Sequence, residues 1–293
     1  MRIGFIGAGK AGCSLGKYFA EKGAQTGISV AGYSSSNEMD AAWAAAFTGS
    51  TCFRSADEVV ATCDSVILST PDGAIREVWD TIDKQLISGR IFCHLSGSLS
   101  SDVFSGIEQF GAYPISIHPM FAFSNKVSVY QQLNHVCFTL EGHQKAVSVW
   151  EQVFAALGNE TRQIAKECKP KYHAAASMLS NQVIAVLETG YGLLRECGFS
   201  DNEARRFSEE LVRANVEHVI QDGSMAALTG PIERGDVKTV GKHLSVIGAG
   251  NQMLYRACAG KLLALAQEKH PKREYGAMRD LLHAPEEGRR RKT

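Results

Sequence analysis

Residues 2–12 read RIGFIGAGKAG, and this stretch decides the fold. An apolar run at 2–6 predicts a buried strand that leads straight into a glycine turn. Residues 11–21 then continue as a small-residue segment that is compatible with a helix. The three glycines fit G-x-G-x-x-G, the spacing with which a strand, a tight turn and a helix N-terminus bind a dinucleotide.

Each glycine of this motif has a separate predicted role. Gly7 allows the tight turn, Gly9 removes a side chain that would block a pyrophosphate, and Gly12 permits close contact between helix and strand. Lys10 and Ala11 complete the turn, where free N–H groups and the helix dipole attract phosphates. With 28 glycines in 293 residues the spacing alone is weak, so the strand-turn-helix context carries the prediction.

The end of the second predicted strand indicates which dinucleotide is bound. An Asp or Glu at this position accepts hydrogen bonds from the adenosine ribose and repels a 2'-phosphate. Here the sequence is GYSSSN, and the next acidic residue is Glu38. The hydroxyls of Ser34, Ser35 and Ser36, with Lys10, favour NADP over NAD, although a plain polar turn would be compatible with NAD as well.

Short apolar runs alternate with helix-compatible segments through the first half, which predicts a parallel α/β sheet. Strands are expected at residues 2–6, 28–33, 65–69, 91–95, 113–117 and 135–140, followed by a helix at 144–157. Two loops after these strands, Thr70-Pro71 and Ser96-Gly97, are expected beside the nicotinamide end of the cofactor, since ligands collect at the carboxyl ends of parallel strands.

The second half has the periodicity of helices, at 171–197, 201–221, 236–247 and 251–268. Ser200 or Asp201 can cap the second of these, Gly223 can end it, and Asp236 can cap the third. The expected organisation is therefore a Rossmann dinucleotide-binding domain at 1–165 and an all-helical substrate and dimerisation domain at 166–285. The polar tail ending GRRRKT is expected to be solvated.

Composition excludes several classes of function. The 31 Lys and Arg balance 31 Asp and Glu, which argues against binding to a nucleic-acid backbone. No apolar run approaches the roughly 18 residues that span a membrane, and the N-terminus lacks a signal-peptide core, so a cytoplasmic protein is expected. Eight cysteines are spread singly, which predicts no metal site.

Polar residues recur every four positions at the start of the helical half: Lys169, His173, Ser177 and Asn181. On one helix they would form a single stripe flanked by small and apolar residues. A buried stripe must have its hydrogen bonds satisfied, and lining a substrate cleft would do so. The alternatives are a solvated face or hydrogen bonds between helices.

A glycine-bracketed loop, LTGPIERGD at 228–236, provides a second polar cluster. Thr229 and Arg234 are expected to bind substrate, because a guanidinium suits a bidentate contact with a carboxylate, although Arg234 alone is also consistent with a surface charge. His118, in the sequence His-Pro-Met after a strand, is a further residue of the predicted cleft.

Four segments together carry a family resemblance: GAGKAG at 7–12, SIHPMFAF at 116–123, KPKYHAAASMLSN at 169–181 and LTGPIERGD at 228–236. In order and spacing the chain resembles Rossmann-like oxidoreductases with a DUF2520 C-terminal domain, within the 6-phosphogluconate dehydrogenase and pyrroline-5-carboxylate reductase superfamily. Some members resemble an alternative ketopantoate reductase. The resemblance implies an NADP-linked reductase, a homodimer and a small-molecule substrate such as ketopantoate.

The expected reaction is transfer of hydride from NADPH to the carbonyl of a small 2-oxo acid. Lys169, with its pKa lowered by burial, would protonate or stabilise the developing alkoxide, with Lys171 as a rival on another helix face. His173 and Asn181 would orient the substrate. Related dehydrogenases place an Asn four residues after the Lys, where this chain has His173.

Two other functions remain open from the sequence. The His-Pro-Met segment is also found in prephenate dehydrogenases, but LTGPIERGD is not expected there. A non-catalytic dinucleotide-binding regulator would account for the first half alone. The titratable groups of the second half argue against that regulator.

Overall fold

The computed structural model describes residues 1–23 and 26–284, and the tail GRRRKT at 288–293 lies outside the described residues. The chain forms two compact units, Met1–Ser180 and Asn181–Thr293. The division after Ser180 places residues 166–180 with the first unit. The predicted boundary between a dinucleotide-binding domain at 1–165 and a substrate and dimerisation domain at 166–285 stays a prediction.

The first unit is built on a sheet to which the described residues contribute eight strands, in the order β3-β2-β1-β4-β5-β6-β7-β8. All neighbouring strands are parallel except β6 and β7, which are antiparallel. The strands are β1 (Arg2–Ile6), β2 (Ser29–Ser34), β3 (Thr51–Cys52), β4 (Ser65–Leu68), β5 (Ile91–His94), β6 (Tyr113–Pro119), β7 (Phe138–Gly142) and β8 (Thr161–Gln163).

All six predicted strands are confirmed, with bounds that shift by a few residues. The sequence missed β3 and β8, which are two and three residues long and lie at the two edges of the sheet. Neither strand contains an apolar run, because neither contributes a buried residue to the core. Hydropathy alone therefore had no signal for them.

Five helices cover the two faces of this sheet: α1 (Lys10–Lys22), α2 (Glu38–Thr48), α3 (Ala56–Thr62), α4 (Asp72–Thr81) and α5 (Gln144–Leu157). A sixth helix, α6 (Lys169–Leu179), follows β8. Successive residues of a strand point to opposite faces. In β5, Ile91 and Cys93 accordingly join one buried cluster and Phe92 joins the other. The inner strands β1, β4 and β5 are largely apolar because both of their faces are buried.

The predicted continuous helix at 171–197 is wrong. The chain breaks at Ser180, where φ is −122° and ψ is −78°, so α6 ends at Leu179 and a new helix, α7 (Asn181–Glu196), begins. Hydrophobic periodicity runs through the break because the residues on either side keep a helical pattern. The stripe from Lys169 to Asn181 therefore does not lie on one helix.

Every described element of the second unit is a helix: α7, α8 (Asp201–Asp222), α9 (Ser224–Ala227), α10 (Pro231–Arg234), α11 (Val237–Val246), α12 (Ala249–Lys269) and α13 (Gly276–His283). The predicted caps are confirmed. Ser200 forms a capping box with Glu203, Gly223 ends α8, and Asp236 accepts from the N–H of Thr239. Among the described residues, no helix has the length and hydropathy to cross a membrane.

Candidate functional site

The glycine loop has the geometry that its sequence predicted. Gly7 adopts a φ of 101°, and a Cβ there would come within 3.0 Å of the backbone of Ser69 and Thr70. A Cβ on Gly12 would lie 2.2 Å from the Ser69 hydroxyl oxygen, which itself donates to the carbonyl of Gly7. These two glycines therefore let β1, α1 and the loop after β4 approach closely.

An open cavity of about 570 Å³, the strand-edge cavity, lies at the carboxyl ends of β1, β2 and β4. It contains most of the predicted cofactor-binding residues, with several that the sequence did not single out. Those that matter below are Gly7, Gly9, Ser34, Ser35, Ser36, Asp40, Arg54, Thr70, Pro71 and Lys126. Lys10, Ala11 and Gly12 are not among its lining residues, and Lys10 is exposed.

Two features of the cavity wall match a polar, phosphate-bearing ligand. The hydroxyl of Thr70 is buried and has no hydrogen-bond partner among the described residues. The N-terminus of α1 has Gly9 as its N-cap, and no side chain in the described part of the protein caps it. Its first turn contains no acidic residue. Free N–H groups at such a helix start bind anions.

Cations of this wall were missed by sequence reasoning. Arg54 follows the short edge strand β3, and Lys126 comes from the loop after β6. Lys126 donates to the Asp40 carboxylate at 2.7 Å and lies 5.8 Å from the ring centroid of Trp43. No local motif connects these residues with Ser34. The pairing of β3 with β2 brings Arg54 beside Ser34, and the loop after β6 brings Lys126 to the same cavity.

Asp72, at the start of α4, ties together the two loops that the sequence placed beside the nicotinamide. Its carboxylate accepts hydrogen bonds from the hydroxyls of Ser96, at 2.6 Å, and Ser98, at 3.0 Å. It directly follows Pro71, which lines the strand-edge cavity. The loop after β5 is thereby held against the loop after β4.

Lys169 lies in the first unit, beneath the loop after β5. Its ammonium group donates to the carbonyl of Ser96 at 2.8 Å and to the hydroxyl of Ser116 at 2.6 Å, and the residue is 1% exposed. Burial lowers the pKa of Lys169 to about 8, against the opposing charges of Glu141 and Asp72. Lys171, the alternative candidate for the catalytic lysine, is exposed.

Gly97 is held between two imidazoles. A Cβ on Gly97 would lie 2.8 Å from Nε2 of His118 and 2.8 Å from Cδ2 of His173. The structure thus brings together four residues that the sequence proposed from separate motifs: Ser96, Gly97, His118 and His173. We call these residues, with Lys169, the lysine-histidine cluster. Gly97 is required here because a side chain would displace one of the rings.

Tyr172 is a member of this neighbourhood that sequence reasoning missed. Its hydroxyl lies 2.6 Å from Nδ1 of His118, and the two rings meet edge to face. Tyr172 follows Lys169 by three residues in α6, so helical spacing places both on one face. The contact fixes the imidazole so that Nε2 faces Gly97.

Two imidazoles near Lys169, those of buried His94 and half-buried His118, are neutral at pH 7. Burial lowers the pKa of His118 to about 4, and the nearby positive charge of Lys169 adds to the effect. Burial and Lys169 likewise lower the pKa of His94 to about 4. The Ser96 N–H donates to Nδ1 of His94, which leaves Nε2 to donate to the Ser100 carbonyl.

The remaining predicted site residues differ in exposure, and they are divided between the two units. Ser177 is half-buried in α6, whereas Asn181 begins α7 in the second unit. Thr229 and Arg234 are exposed in the second unit, and the Arg234 guanidinium forms no ion pair with the residues described. Asp236 caps α11 by accepting from Thr239, as its alternative structural role predicted.

Residues 1–119 match the Rossmann-like domain family, and residues 136–262 match the domain of unknown function DUF2520. The chain is a Rossmann-like protein with a DUF2520 domain. The DUF2520 match begins just before β7, so this domain family includes the last two strands of the sheet as well as helices of the second unit. The resemblance of the sequence to this domain combination is confirmed.

Three solved structures show how widely the fold of this Rossmann-DUF2520 chain is shared. Protein TM1727 from Thermotoga maritima is 24% identical with a TM-score of 0.69, covering 91% of this chain and 99% of its own. An imine reductase from Pseudomonas sp. is 16% identical with a TM-score of 0.63, covering 91% of this chain and 92% of its own.

The third is a Plasmodium falciparum pyrroline carboxylate reductase with NADP bound. It is 12% identical with a TM-score of 0.57, and the match covers 92% of this chain and 97% of that chain. At these identities the likeness establishes a common fold. Among curated proteins, none matches this chain.

Proposed function

We propose that this chain is an NADPH-dependent reductase of a small 2-oxo acid, with ketopantoate as the candidate substrate. The observation that carries the proposal is the position of the lysine-histidine cluster. It is attached, through Ser96 and Asp72, to the loop that lines the strand-edge cavity. The titratable groups and the strand-edge cavity thus both lie at the carboxyl ends of the parallel strands, where a nicotinamide reductase needs its cofactor and its catalytic side chains.

The residues present fit NADP. The cavity has the serines at 34–36 in place of an acid. It also has the start of α1 and the Thr70 hydroxyl, neither of which has a side-chain partner among the described residues. Gly9, Thr70 and Pro71 would hold the pyrophosphate and nicotinamide ribose. Support also comes from the Plasmodium falciparum reductase of the same fold, which binds NADP. When bound, NADPH supplies the hydride.

Residues of this chain would stabilise the negative charge that develops on the substrate oxygen. Lys169 is buried, and two of its three N–H groups donate hydrogen bonds to the carbonyl of Ser96 and the hydroxyl of Ser116. This arrangement favours stabilisation of the negative charge on the substrate oxygen by Lys169 over donation of a proton to that oxygen. His118, held by Tyr172, presents Nε2 beside Gly97 and would bind the substrate oxygen. His173 and Asn181 would orient the substrate.

Arg234 is proposed to bind the substrate carboxylate through paired hydrogen bonds, with Thr229 and Ser177 as further contacts. Its guanidinium is exposed, and no described residue forms an ion pair with it. Arg234→Lys keeps the charge but loses the planar fork, so KM for the acid should rise markedly. An unchanged KM would assign Arg234 to the surface.

The direct test is to mix the protein with NADPH and a panel of 2-oxo acids that includes ketopantoate, and to follow the loss of nicotinamide absorbance. Reduction of at least one acid, with poor reduction of its amide, is the expected result. Equal reduction of acid and amide would overturn the oxo-acid assignment while leaving NADPH binding intact.

We also propose a homodimer in the cytoplasm. The helices α7 and α8 expose large apolar side chains that are costly to leave in water: Val183, Ile184, Val186, Phe207, Leu211, Val216, Val219 and Ile220. A second copy would cover such a face. Light scattering on the purified chain should give the mass of a dimer, and Leu211→Glu should shift it to the monomer.

A further inference from the structure

One guanidinium of the strand-edge cavity pairs with no side chain in the described ranges. Arg54 lines the cavity with Ser34, Ser35 and Ser36, and its side chain is exposed. It forms no side-chain hydrogen bond or ion pair with any residue that the structure describes. A guanidinium free to pair can bind a phosphate through two parallel hydrogen bonds.

The backbone that carries Arg54 is fixed. Its N–H donates to the Glu58 carboxylate at 2.9 Å, and the Ser55 hydroxyl accepts from the N–H of Glu58 at 3.2 Å. One residue earlier, the N–H of Phe53 donates to the carbonyl of Tyr33 at 2.8 Å. The chain at Arg54 is therefore anchored directly beside the carboxyl end of β2, where Ser34 lies.

The other cations near the carboxyl end of β2 are less available to bind a phosphate. Lys126 lines the same cavity but is paired with Asp40 at 2.7 Å. Lys10, which the sequence suggested for the same task, is exposed and outside the lining residues. Of the two cavity cations that the structure describes, Arg54 is thus the one that can bind a new anionic partner without breaking an existing ion pair.

We propose that Arg54 binds the 2'-phosphate of the dinucleotide and is the residue that makes the chain select NADPH over NADH. The inference rests on the proposed function, because it presupposes that a dinucleotide occupies the strand-edge cavity. The hydroxyls of Ser35 and Ser36 would donate to the same phosphate. The residue that determines the preference for NADPH then lies on the loop after β3, outside the serine run at 34–36 and the glycine motif.

The test measures binding, with no substrate, by titrating NADPH and NADH into the wild-type protein and its variants and following nucleotide fluorescence. Arg54→Ala should weaken NADPH binding about 10- to 100-fold, since it removes charged hydrogen bonds to the phosphate. NADH affinity should stay within about twofold, because NADH lacks the phosphate. Arg54→Gln should behave like Arg54→Ala, and an unchanged melting temperature confirms folding.

Two control variants sharpen the test. Arg76 belongs to the same unit, is paired with Asp80 and does not line the cavity, so Arg76→Ala should leave both affinities unchanged. Lys126→Ala should cost less NADPH affinity than Arg54→Ala because Asp40 already holds that ammonium. A larger selective loss from Lys126→Ala would transfer the role to Lys126 and overturn the proposal.

Failure of the inference and failure of the proposed function give different results. Suppose that the wild-type protein binds NADPH, but that Arg54→Ala leaves this affinity unchanged or lowers the affinities for NADPH and NADH equally. Arg54 then does not bind the 2'-phosphate. Equal affinities of the wild-type protein for NADPH and NADH would also overturn the proposal about Arg54. If the wild type binds neither nucleotide, the reductase proposal itself falls, together with this inference.

Discussion

The ammonium nitrogen of Lys169 lies 2.6 Å from the hydroxyl oxygen of Ser116, to which it donates a hydrogen bond. This contact joins the start of α6 to the middle of β6, and the lysine is 1% exposed. Burying an ammonium group is unfavourable unless it is well paired, and here both acceptors are uncharged. The lysine therefore favours its neutral form more than an exposed lysine does.

Replacing Lys169 with Met should change the pH dependence of stability. The pKa of Lys169 is about 8 in the folded protein and 10.5 in its unperturbed state. Between these values the unfolded chain binds more protons, so the contribution of Lys169 to the free energy of unfolding rises with pH. The difference in that free energy between wild type and Lys169→Met should thus grow in favour of wild type from pH 8 to 10.5.

Urea denaturation at pH 7 and pH 10 measures this difference, and Lys171→Met is the control because Lys171 is exposed. The control should show no such trend. A wild-type advantage that stays constant with pH would mean that burial does not lower the pKa of Lys169.

The pKa of His118 should rise when Lys169 is replaced. Burial holds that pKa near 4, and the charge of Lys169 is the next cause. Histidine NMR titration of Lys169→Met should therefore show His118 protonating at a higher pH than in wild type. Lys166→Met is the control, since Lys166 is exposed and pairs with Asp102. A His118 pKa near 6.5 in the wild-type protein would contradict its burial.

Activity should distinguish the two lysines of α6. Lys169→Ala should lower turnover of ketopantoate on the order of 100-fold while leaving NADPH affinity nearly unchanged, because the lost interaction forms mainly in the transition state. Lys171→Ala should retain turnover. Steady-state kinetics with a separate NADPH titration checks both. An inactive Lys171 variant would mean that the wrong helix face has been assigned.

Two glycines of the same motif should respond differently to alanine. A Cβ on Gly12 meets the Ser69 hydroxyl at 2.2 Å, so Gly12→Ala should lower stability by about 1–3 kcal/mol. On Gly9 the nearest contact is the Ser69 carbonyl oxygen at 3.7 Å, so Gly9→Ala should fold normally and lose NADPH affinity.

Gly9→Asp should abolish binding of either nucleotide, because it places a carboxylate against the pyrophosphate. Thermal melts and nucleotide titrations separate the two effects. Loss of folding in Gly9→Ala, or full nucleotide affinity in that variant, would refute the assigned role of Gly9.

The amino-acid sequence by itself determined the elements that depend on local patterns. Gly7 must adopt a positive φ, the apolar runs at 2–6 and 91–95 form strands buried on both faces, and Ser200, Gly223 and Asp236 delimit helices. Each signal lies within a few residues of its effect. Turn geometry, strand burial and helix capping are set by those neighbours, so a single sequence suffices.

The tertiary structure decided which of these local features meet. Arg54 adjoins Ser34 because the edge strand β3 pairs with β2, and Gly97 separates His118 from His173 because α6 packs beside the loop after β5. It also placed Lys169, and not Lys171, in the interior, and it ended the helix at Ser180. Strand order and helix packing depend on contacts between residues far apart in sequence, and periodicity along the chain contains no record of those contacts.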